Sequence, residues 1–271
     1  TLNGAGVGGA GALTGTGAAS LAGTVNLSSA STVGTTSAAS SLTLNGTVSA
    51  PSVLTIVGTG AVTASNAGND FSAVTMTNAG NVSLRDANSI TLNASTLTGG
   101  LAVQASGTIT VGGATSANGA GDAIVLSGGR FVNSAGAGAL TTSAPGARWL
   151  VWSTNPNPFG GGTPDNRGGL AYNFKQYNAA FGDPVLGAGN GFLYTLAPSI
   201  TPGLTGTVTR VYDGSTTATL LAGNFTATGA VDGDTVTLSG TGAYDTRNAG
   251  TLKTVTATGI TASAINGAAT V

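Results

Sequence analysis

Aspartates are the only acidic residues of the 271-residue sequence, and two of them, Asp232 and Asp234, are separated by a single glycine. Two carboxylates on one face of a strand or turn could act as an acid/base pair or as ligands of Ca²⁺. An Asp-Gly-Asp segment is also typical of a polar hairpin turn, and we adopt that interpretation. The remaining aspartates are scattered between Asp70 and Asp245. The sequence therefore predicts no catalytic cluster and no metal site.

Other residue types that carry chemistry are scarce. The sequence contains no His, Cys or Glu, which removes the commonest general base and metal ligand as well as thiolate chemistry. The segment Gly4–Gly9 formally matches the G-x-G-x-x-G pattern of dinucleotide-binding loops, but we predict no strand before it and no helix after it. In a chain with 46 glycines this match is explained by chance. We expect no cofactor and no enzymatic activity.

Short strands are the elements that would have to position any functional group. Between Leu54 and Val111, apolar residues alternate with Ser, Thr or Asn, which is the period of a strand with one buried face. A repeat of about 19 or 20 residues is typical of one turn of a β-solenoid. The apolar positions that recur at this spacing are Leu54 and Val74, Val62 and Val82, Val82 and Leu101, Ile90 and Ile109, and Leu92 and Val111.

The repeat predicts an all-β chain that begins with a right-handed parallel β-helix over residues 1–145. Each turn would hold two or three strands, with Val, Ile or Leu inside and Ser, Thr or Asn outside, joined by corners that contain Gly or Asn. A leucine-rich repeat has a similar period, but its Leu spacing and its helical segment are absent from this sequence.

The composition changes near residue 145. Seven of the eight prolines lie between Pro145 and Pro202, and the same stretch holds both tryptophans and nine of the fourteen aromatic residues. We interpret residues 146–202 as an aromatic connector that caps the solenoid. Because Trp149 and Trp152 are three residues apart on a predicted strand, they would face opposite sides, one in the core and one in the cap.

Residues 203–271 contain strand-like segments without the 19-residue period, separated by turn signals. They predict a small antiparallel β module. The expected strands are 207–212, 218–221, 225–228, 235–238 and 254–258.

Charge and hydropathy exclude several classes of protein. The formal net charge is −1 and only 6% of residues are charged, so no basic patch for DNA or RNA is predicted. No apolar run reaches the length of about 18 residues that a membrane span requires. The absence of Cys fits a large secreted bacterial protein. With neither an initiator Met nor a signal sequence, we expect Thr1 to be an internal or processed start.

Six segments of the sequence carry a resemblance to known proteins: Gly68–Phe71, Asn81–Leu92, Arg148–Thr154, Arg210–Gly214, Gly233–Leu238 and Asn248–Gly250. The first three resemble the filamentous-haemagglutinin-like exoproteins of two-partner secretion, which are bacterial surface proteins. The last three look like the YDG module of such proteins.

The resemblance implies a long rod that is exported through an outer-membrane transporter and then displayed on the cell or released. Its role would be adhesion, aggregation or biofilm structure. From their residue types, we interpret Tyr212, Asp213 and Gly214 as structural: Asp and Gly close a turn, and Tyr packs in the small core of the module.

Two functions remain open from the sequence alone. The chain is either a passive fibre or spacer, which we favour, or an adhesive surface for host or matrix glycans, with an ice-binding solenoid as a further alternative. Exposure of Trp152, Tyr172, Phe174 and Tyr177 along a groove would favour glycan binding, whereas burial would favour the spacer. We also expect copies to self-associate end to end or laterally, because the first strands are open edges with few charges nearby.

Overall fold

The computed structural model describes residues 1–156 and 162–271 of an all-β chain. Residues 157–161, which belong to the predicted connector, lie outside this description. The chain divides into two compact units, Thr1–Leu196 and Ala197–Val271. Helical structure in the described residues is limited to two 3-10 turns, Val7–Gly9 and Ala222–Asn224.

The first unit is a β-solenoid made of three sheets of parallel strands, which we number in chain order. The first sheet contains β1 (Leu2–Gly4), β2 (Leu13–Gly15), β4 (Val25–Thr35), β6 (Val48–Val57), β8 (Asp70–Thr77), β10 (Ile90–Leu92), β13 (Thr108–Val111) and β16 (Arg130–Asn133). The second contains β3 (Ala18–Leu21), β5 (Ser41–Leu44), β7 (Ala61–Ala64), β9 (Val82–Asp86), β12 (Leu101–Ala105), β15 (Asp122–Ser127), β18 (Arg148–Ser153), β20 (Gly191–Tyr194) and β19 (Phe174–Gln176). The third contains β11 (Ser95–Leu97), β14 (Thr115–Ala117) and β17 (Leu140–Thr142).

The predicted repeat sets the register of these sheets. Residues at equivalent positions in successive turns pair directly across neighbouring strands. The pairs are Leu54 with Val74, Val62 with Val82, Val82 with Leu101, Ile90 with Ile109, and Leu92 with Val111. The sequence-based prediction of a parallel solenoid is therefore confirmed, down to the pairing of individual residues.

A narrow apolar core runs through the solenoid. Leu54, Val74 and Leu92, which lie on three adjacent strands of the first sheet, are each at most 1% exposed. Full burial of one such side chain stabilises the folded state by about 1.5–3 kcal/mol. The intervening residues, such as Thr55 and Thr75, point outward, so each turn has an apolar inside and a hydroxyl-bearing outside.

The corners between strands need small or amide side chains. Asn69 is completely buried, and its Oδ1 accepts a hydrogen bond from the Val48 N–H at 2.8 Å while its Nδ2 donates to the Ala64 carbonyl at 2.9 Å. At Gly80 a methyl group would lie 2.2 Å from the Thr59 carbonyl oxygen, so only glycine fits this corner. These contacts join consecutive turns where the backbone leaves the sheets.

The predicted connector is part of the solenoid unit up to Leu196. Strand β18 pairs in parallel with β15, β20 pairs with β18, and β19 pairs with β20. The second sheet therefore continues through the aromatic segment.

The second unit consists of antiparallel strands. Its strands are β21 (Thr201–Leu204), β22 (Thr217–Ala218), β23 (Phe225–Thr228), β24 (Thr235–Tyr244), β25 (Val255–Asn266) and β26 (Ala269–Thr270). Strand β21 pairs with β23, and β24 pairs with β22 on one side and β25 on the other. The prediction of a small antiparallel module is confirmed.

Two predicted strands of this module differ from the structure. The strand expected over 218–221 shares only Ala218 with β22, and residues 219–221 form no strand. Residues 207–212 form no strand, because their groups bond elsewhere: the Val208 carbonyl accepts from the Tyr244 hydroxyl at 2.9 Å, and the Arg210 side chain folds back onto Asp213 and Ser215. The alternation of Val and Thr in this segment is typical of a strand, but these side-chain contacts override it.

Candidate functional site

A cluster of aromatic rings closes the far end of the solenoid core. Trp149, on β18, lies edge-on to Phe192, on β20, with 5.2 Å between ring centroids and 66° between ring planes. Phe131 and Tyr172 pack against the same Phe192 ring at 5.7 and 5.3 Å. Edge-on contacts of this kind add to the energy of simple area burial. Trp149 is thus part of the main core of the unit.

A guanidinium lies inside this aromatic cluster. The Arg167 side chain stands 5.1 Å from the ring centroids of both Tyr172 and Phe192 and 5.6 Å from that of Tyr194. Its Nε and Nη2 atoms donate to the Tyr194 hydroxyl at 3.0 and 2.7 Å. The ring faces and the hydroxyl therefore stabilise a charge that would otherwise be costly to place beside an apolar core. Sequence reasoning missed this residue, because Tyr194 is 27 residues further along the chain and no local pattern links the two.

Trp152 lies in a separate apolar cluster from Trp149. It packs with Leu150, Phe174 and Leu193, and Phe181 lies edge-on to it at 5.3 Å. Its ring is only 6% exposed, and its Nε1 atom is buried without a hydrogen-bond partner among the described residues. The two tryptophans of one strand thus belong to two different clusters.

The four aromatic residues on which the glycan alternative depends form no open stacking groove. Trp152 and Phe174 are buried, whereas Tyr172 and Tyr177 are half-buried. Tyr172 contacts the aromatic cluster, and the Tyr177 ring lies 5.6 Å from the ring of Tyr194.

Asp165 links the segment after β18 to two strands. Its Oδ1 accepts a hydrogen bond from the Phe131 N–H at 2.9 Å, and its Oδ2 accepts from the Ser153 hydroxyl at 2.6 Å. Burial raises the pKa of this carboxyl, although both hydrogen bonds and the charges of Arg167 and Arg130 oppose the shift. Asp165 thus accepts one backbone hydrogen bond from β16 and one side-chain hydrogen bond from β18.

Asp86 plays a similar part within the solenoid. Its Oδ2 accepts from the Phe71 N–H at 2.6 Å and its Oδ1 from the Asn88 N–H at 2.8 Å. Burial raises the pKa of Asp86, against the lowering effect of these two hydrogen bonds, and the nearby Asp70 adds to the rise.

In the second unit, Asp213 and Gly214 form a turn. The Asp213 Oδ1 accepts from the Ser215 N–H at 2.8 Å, and Gly214 has a φ of 79°, which favours glycine. The expectation that Tyr212 packs in the module core is wrong, since this residue is 62% exposed. The turn leaves Tyr212 on the surface because the Arg210 side chain occupies the inner side of the bend.

Tyr244 has the inward role that sequence reasoning gave to Tyr212. Its hydroxyl donates to the Val208 carbonyl at 2.9 Å, and the Arg210 guanidinium lies 5.5 Å from its ring centroid.

The paired aspartates Asp232 and Asp234 belong to a turn. Asp232 and Gly233 have φ values of 55° and 71°, and the Asp234 N–H donates to the Val231 carbonyl at 2.9 Å. The Asn266 side chain donates to the Asp232 carbonyl and to the Asp234 carboxylate at 2.7 and 3.0 Å.

The third acidic residue near this end of the chain, Asp245, forms an ion pair with Lys253 at 2.8 Å. In the parts of the chain that the structure describes, no group of three or more His, Cys, Asp or Glu side chains is arranged to hold a metal ion.

The structure around the glycine-rich motif Gly4–Gly9 differs in part from the prediction. A short strand, Leu2–Gly4, does precede it, contrary to expectation, but the motif leads only into the single 3-10 turn Val7–Gly9. One such turn lacks the aligned N–H groups with which an α-helix binds a phosphate.

A cleft of about 640 Å³ lies within the second unit. It is bounded by two irregular segments, residues 204–215 and 246–253, and by the ring of Tyr244. Its lining includes Arg210, Arg247 and Lys253. Sequence reasoning missed this cleft, since the alternating pattern of residues 207–212 predicts a strand there.

The comparison with known families concerns this second unit. Residues 197–270 match the family model described as the YDG domain. The expected YDG module is therefore confirmed, and the match begins at the boundary between the two units. No curated protein and no solved structure matches the chain. The likeness of the solenoid to filamentous-haemagglutinin-like proteins stays a prediction.

No helix in residues 1–156 or 162–271 has both the length and the apolar character to cross a membrane.

Proposed function

We propose that this chain is an extracellular structural segment of a large bacterial surface or secreted filamentous protein, in which the solenoid acts as a rod-like spacer. The observation that carries this proposal is the unbroken parallel pairing of the first sheet through β1, β4, β6, β8, β10, β13 and β16. Each turn repeats the strand spacing of about 4.8 Å along the axis, so length can be added without changing the cross-section.

The YDG module supports the same proposal, because the resemblance places such modules in long adhesins. By that resemblance, the parent protein would leave the cell through an outer-membrane transporter and serve adhesion or biofilm structure. Self-association belongs to the same proposal, since only 6% of the residues are charged and few charges are therefore present to repel a second copy.

The contacts of two aspartates and two buried aromatic residues support a passive role. Asp86 and Asp165 each accept a backbone hydrogen bond from a strand residue. Trp152 and Phe174 are buried in an apolar cluster. Such residues serve folding, which favours a spacer over an enzyme or a glycan-stacking surface on the first unit.

The spacer proposal can be tested at the outward-facing hydroxyl groups of the second sheet. Thr43, Thr63 and Ser83 lie side by side on β5, β7 and β9, and form a regular surface ladder there. A spacer predicts that cells displaying the Thr43→Ala, Thr63→Ala, Ser83→Ala triple variant attach to surfaces as well as cells displaying the unchanged chain. Loss of attachment, or loss of ice-growth inhibition, with the fold intact would identify this ladder as a binding face instead.

A further inference from the structure

We propose that the cleft of the YDG module binds an acidic saccharide, that is, a sugar chain carrying uronic acid carboxylates. This goes beyond the spacer function and does not depend on it. The cleft is lined by residues of the second unit only, and its volume of about 640 Å³ suits a short oligosaccharide.

The charge of the lining indicates an anionic ligand. Three of the eight Lys and Arg residues of the chain, Arg210, Arg247 and Lys253, line this one cleft. None of its described lining residues is an aspartate, although the chain has nine. Because Arg210 and Lys253 are paired with Asp213 and Asp245, Arg247 supplies the net positive charge of the cleft, which attracts a ligand of the opposite sign.

Two of these cations are held in place by ion pairs with aspartates. The Arg210 Nη2 lies 2.8 Å from the Asp213 Oδ1, and the Lys253 Nζ lies 2.8 Å from the Asp245 Oδ1. Lys253 also donates to the Thr246 hydroxyl. These contacts fix the walls of the cleft before a ligand arrives, which reduces the ordering that binding would require.

Arg247 is the third cation, and it differs from the other two. It is exposed, and within the described parts of the chain its guanidinium has neither an ion-pair partner nor a hydrogen bond. A guanidinium presents parallel N–H donors that match both oxygens of a carboxylate. Arg247 is thus the group that would bind the carboxylate of the ligand.

The remaining lining distinguishes a sugar from other anions. Tyr212 is 62% exposed at the cleft, where its ring can stack on the apolar face of a pyranose. Leu252 is fully exposed on a backbone with a φ of 59°, a conformation that bulky residues rarely adopt. Hydroxyl groups suited to bonding the hydroxyls of a sugar come from Thr205, Thr207, Thr209, Thr246 and Thr251.

A free phosphate or an acidic peptide would use the cations but would leave the exposed ring and the hydroxyls without a role. The combination of an unpaired guanidinium, an aromatic face and several hydroxyls therefore favours the acidic saccharide.

The experiment is a calorimetric titration of the full chain with oligogalacturonate and, separately, with an oligosaccharide that contains glucuronate. The fully methyl-esterified oligogalacturonate is the matched ligand control, since it keeps the sugar and removes the charge. The variants are Arg247→Gln and Tyr212→Ala, and Arg85→Gln, which changes an exposed arginine of the first unit, is the matched protein control. Circular dichroism verifies that each variant is folded.

We expect saturable binding of one or both acidic oligosaccharides and none of the ester. Arg247→Gln and Tyr212→Ala should each weaken binding about tenfold or more, whereas Arg85→Gln should not change it. Preference for one acidic sugar would identify which uronate the cleft takes.

Three results would overturn the proposal: no saturable binding of either acid, unchanged binding in Arg247→Gln, or equal binding of polyglutamate that does not depend on Tyr212. None of these results bears on the spacer function, which the hydroxyl-ladder variant tests independently.

Discussion

The ring of Trp149 lies edge-on to the ring of Phe192, and this contact joins β18 to β20 at the end of the solenoid core. Because both side chains are at most 2% exposed, truncation would open a cavity that neighbouring strands cannot fill. Trp149→Ala should lower the free energy of unfolding by about 3–5 kcal/mol, measured by chemical denaturation.

Trp152 on the same strand offers the matched control. Its buried Nε1 has no hydrogen-bond partner in the described structure, so Trp152→Phe loses packing but also removes an unsatisfied donor. We expect a change of less than about 1.5 kcal/mol for this variant. A denaturation curve unaltered by Trp149→Ala would show that the aromatic cluster does not stabilise the solenoid.

Asp165 should give the solenoid a characteristic pH dependence. Its pKa is raised in the folded state, chiefly by burial, so the folded chain binds this proton more tightly than the unfolded chain. The stability contributed is fully present below the ordinary pKa of an aspartate carboxyl and is lost as pH rises through the higher folded pKa.

Asp165→Asn keeps the acceptor for the Phe131 N–H and removes the buried charge. Thermal unfolding from about pH 3 to pH 7, a range that spans the ordinary carboxyl pKa, should therefore show a smaller loss of stability with rising pH in this variant than in the unchanged chain. Asp183→Asn, at an exposed position, is the control. An identical pH profile for Asp165→Asn and the unchanged chain would mean that the carboxyl is not desolvated.

Gly80 should tolerate no side chain. An added methyl group would lie 2.2 Å from the Thr59 carbonyl oxygen and 2.5 Å from that of Gly60, and such backbone atoms leave little room for relaxation. We expect Gly80→Ala to cost at least about 1–3 kcal/mol of stability.

Gly138 is the natural comparison, because no heavy atom lies within 4 Å of the equivalent methyl group and its φ is not positive. Gly138→Ala should therefore change the melting temperature little. Equal melting temperatures for the two variants would contradict the close approach of the turns at Gly80.

Calcium should not contribute to stability. The Asp234 carboxylate accepts a hydrogen bond from Asn266 and the Asp245 carboxylate is paired with Lys253, so these two acids already have partners within the protein. At Asp232 the atom that accepts from Asn266 is the backbone carbonyl oxygen. Calorimetry with and without a chelator should give the same melting temperature. A fall of several degrees in chelator would make Asp232, Asp234 and Asp245 candidate ligands again.

The register of the solenoid could be predicted from the sequence because one physical rule controls it. A β-branched or leucine side chain must sit above its equivalent in the previous turn, so Ile90 and Ile109 mark the same position. The third sheet is harder to foresee. Strands such as Ser95–Leu97 are three residues long and carry a single large apolar side chain, which leaves almost no period to detect.

The candidate site is less predictable than the fold. Arg167 contacts Tyr194 because β20, the strand that contains Tyr194, pairs with β18 after a long intervening segment. No local sequence pattern encodes such a contact. Tyr212 and Tyr244 are both tyrosines in strand-like surroundings, but the side chain of Arg210 decides which one is covered.

The spacer function is tested most directly by changing the number of turns. Residues 82–100 form one complete turn, since Val82 pairs with Leu101, so extra copies inserted after Gly100 preserve the register. About ten copies should lengthen the solenoid by about 48 Å. On cells that display the chain, interference microscopy should find an epitope in the solenoid's last turn raised by that distance, with surface attachment retained. An epitope height that does not change, or attachment lost despite intact folding, would contradict the spacer function.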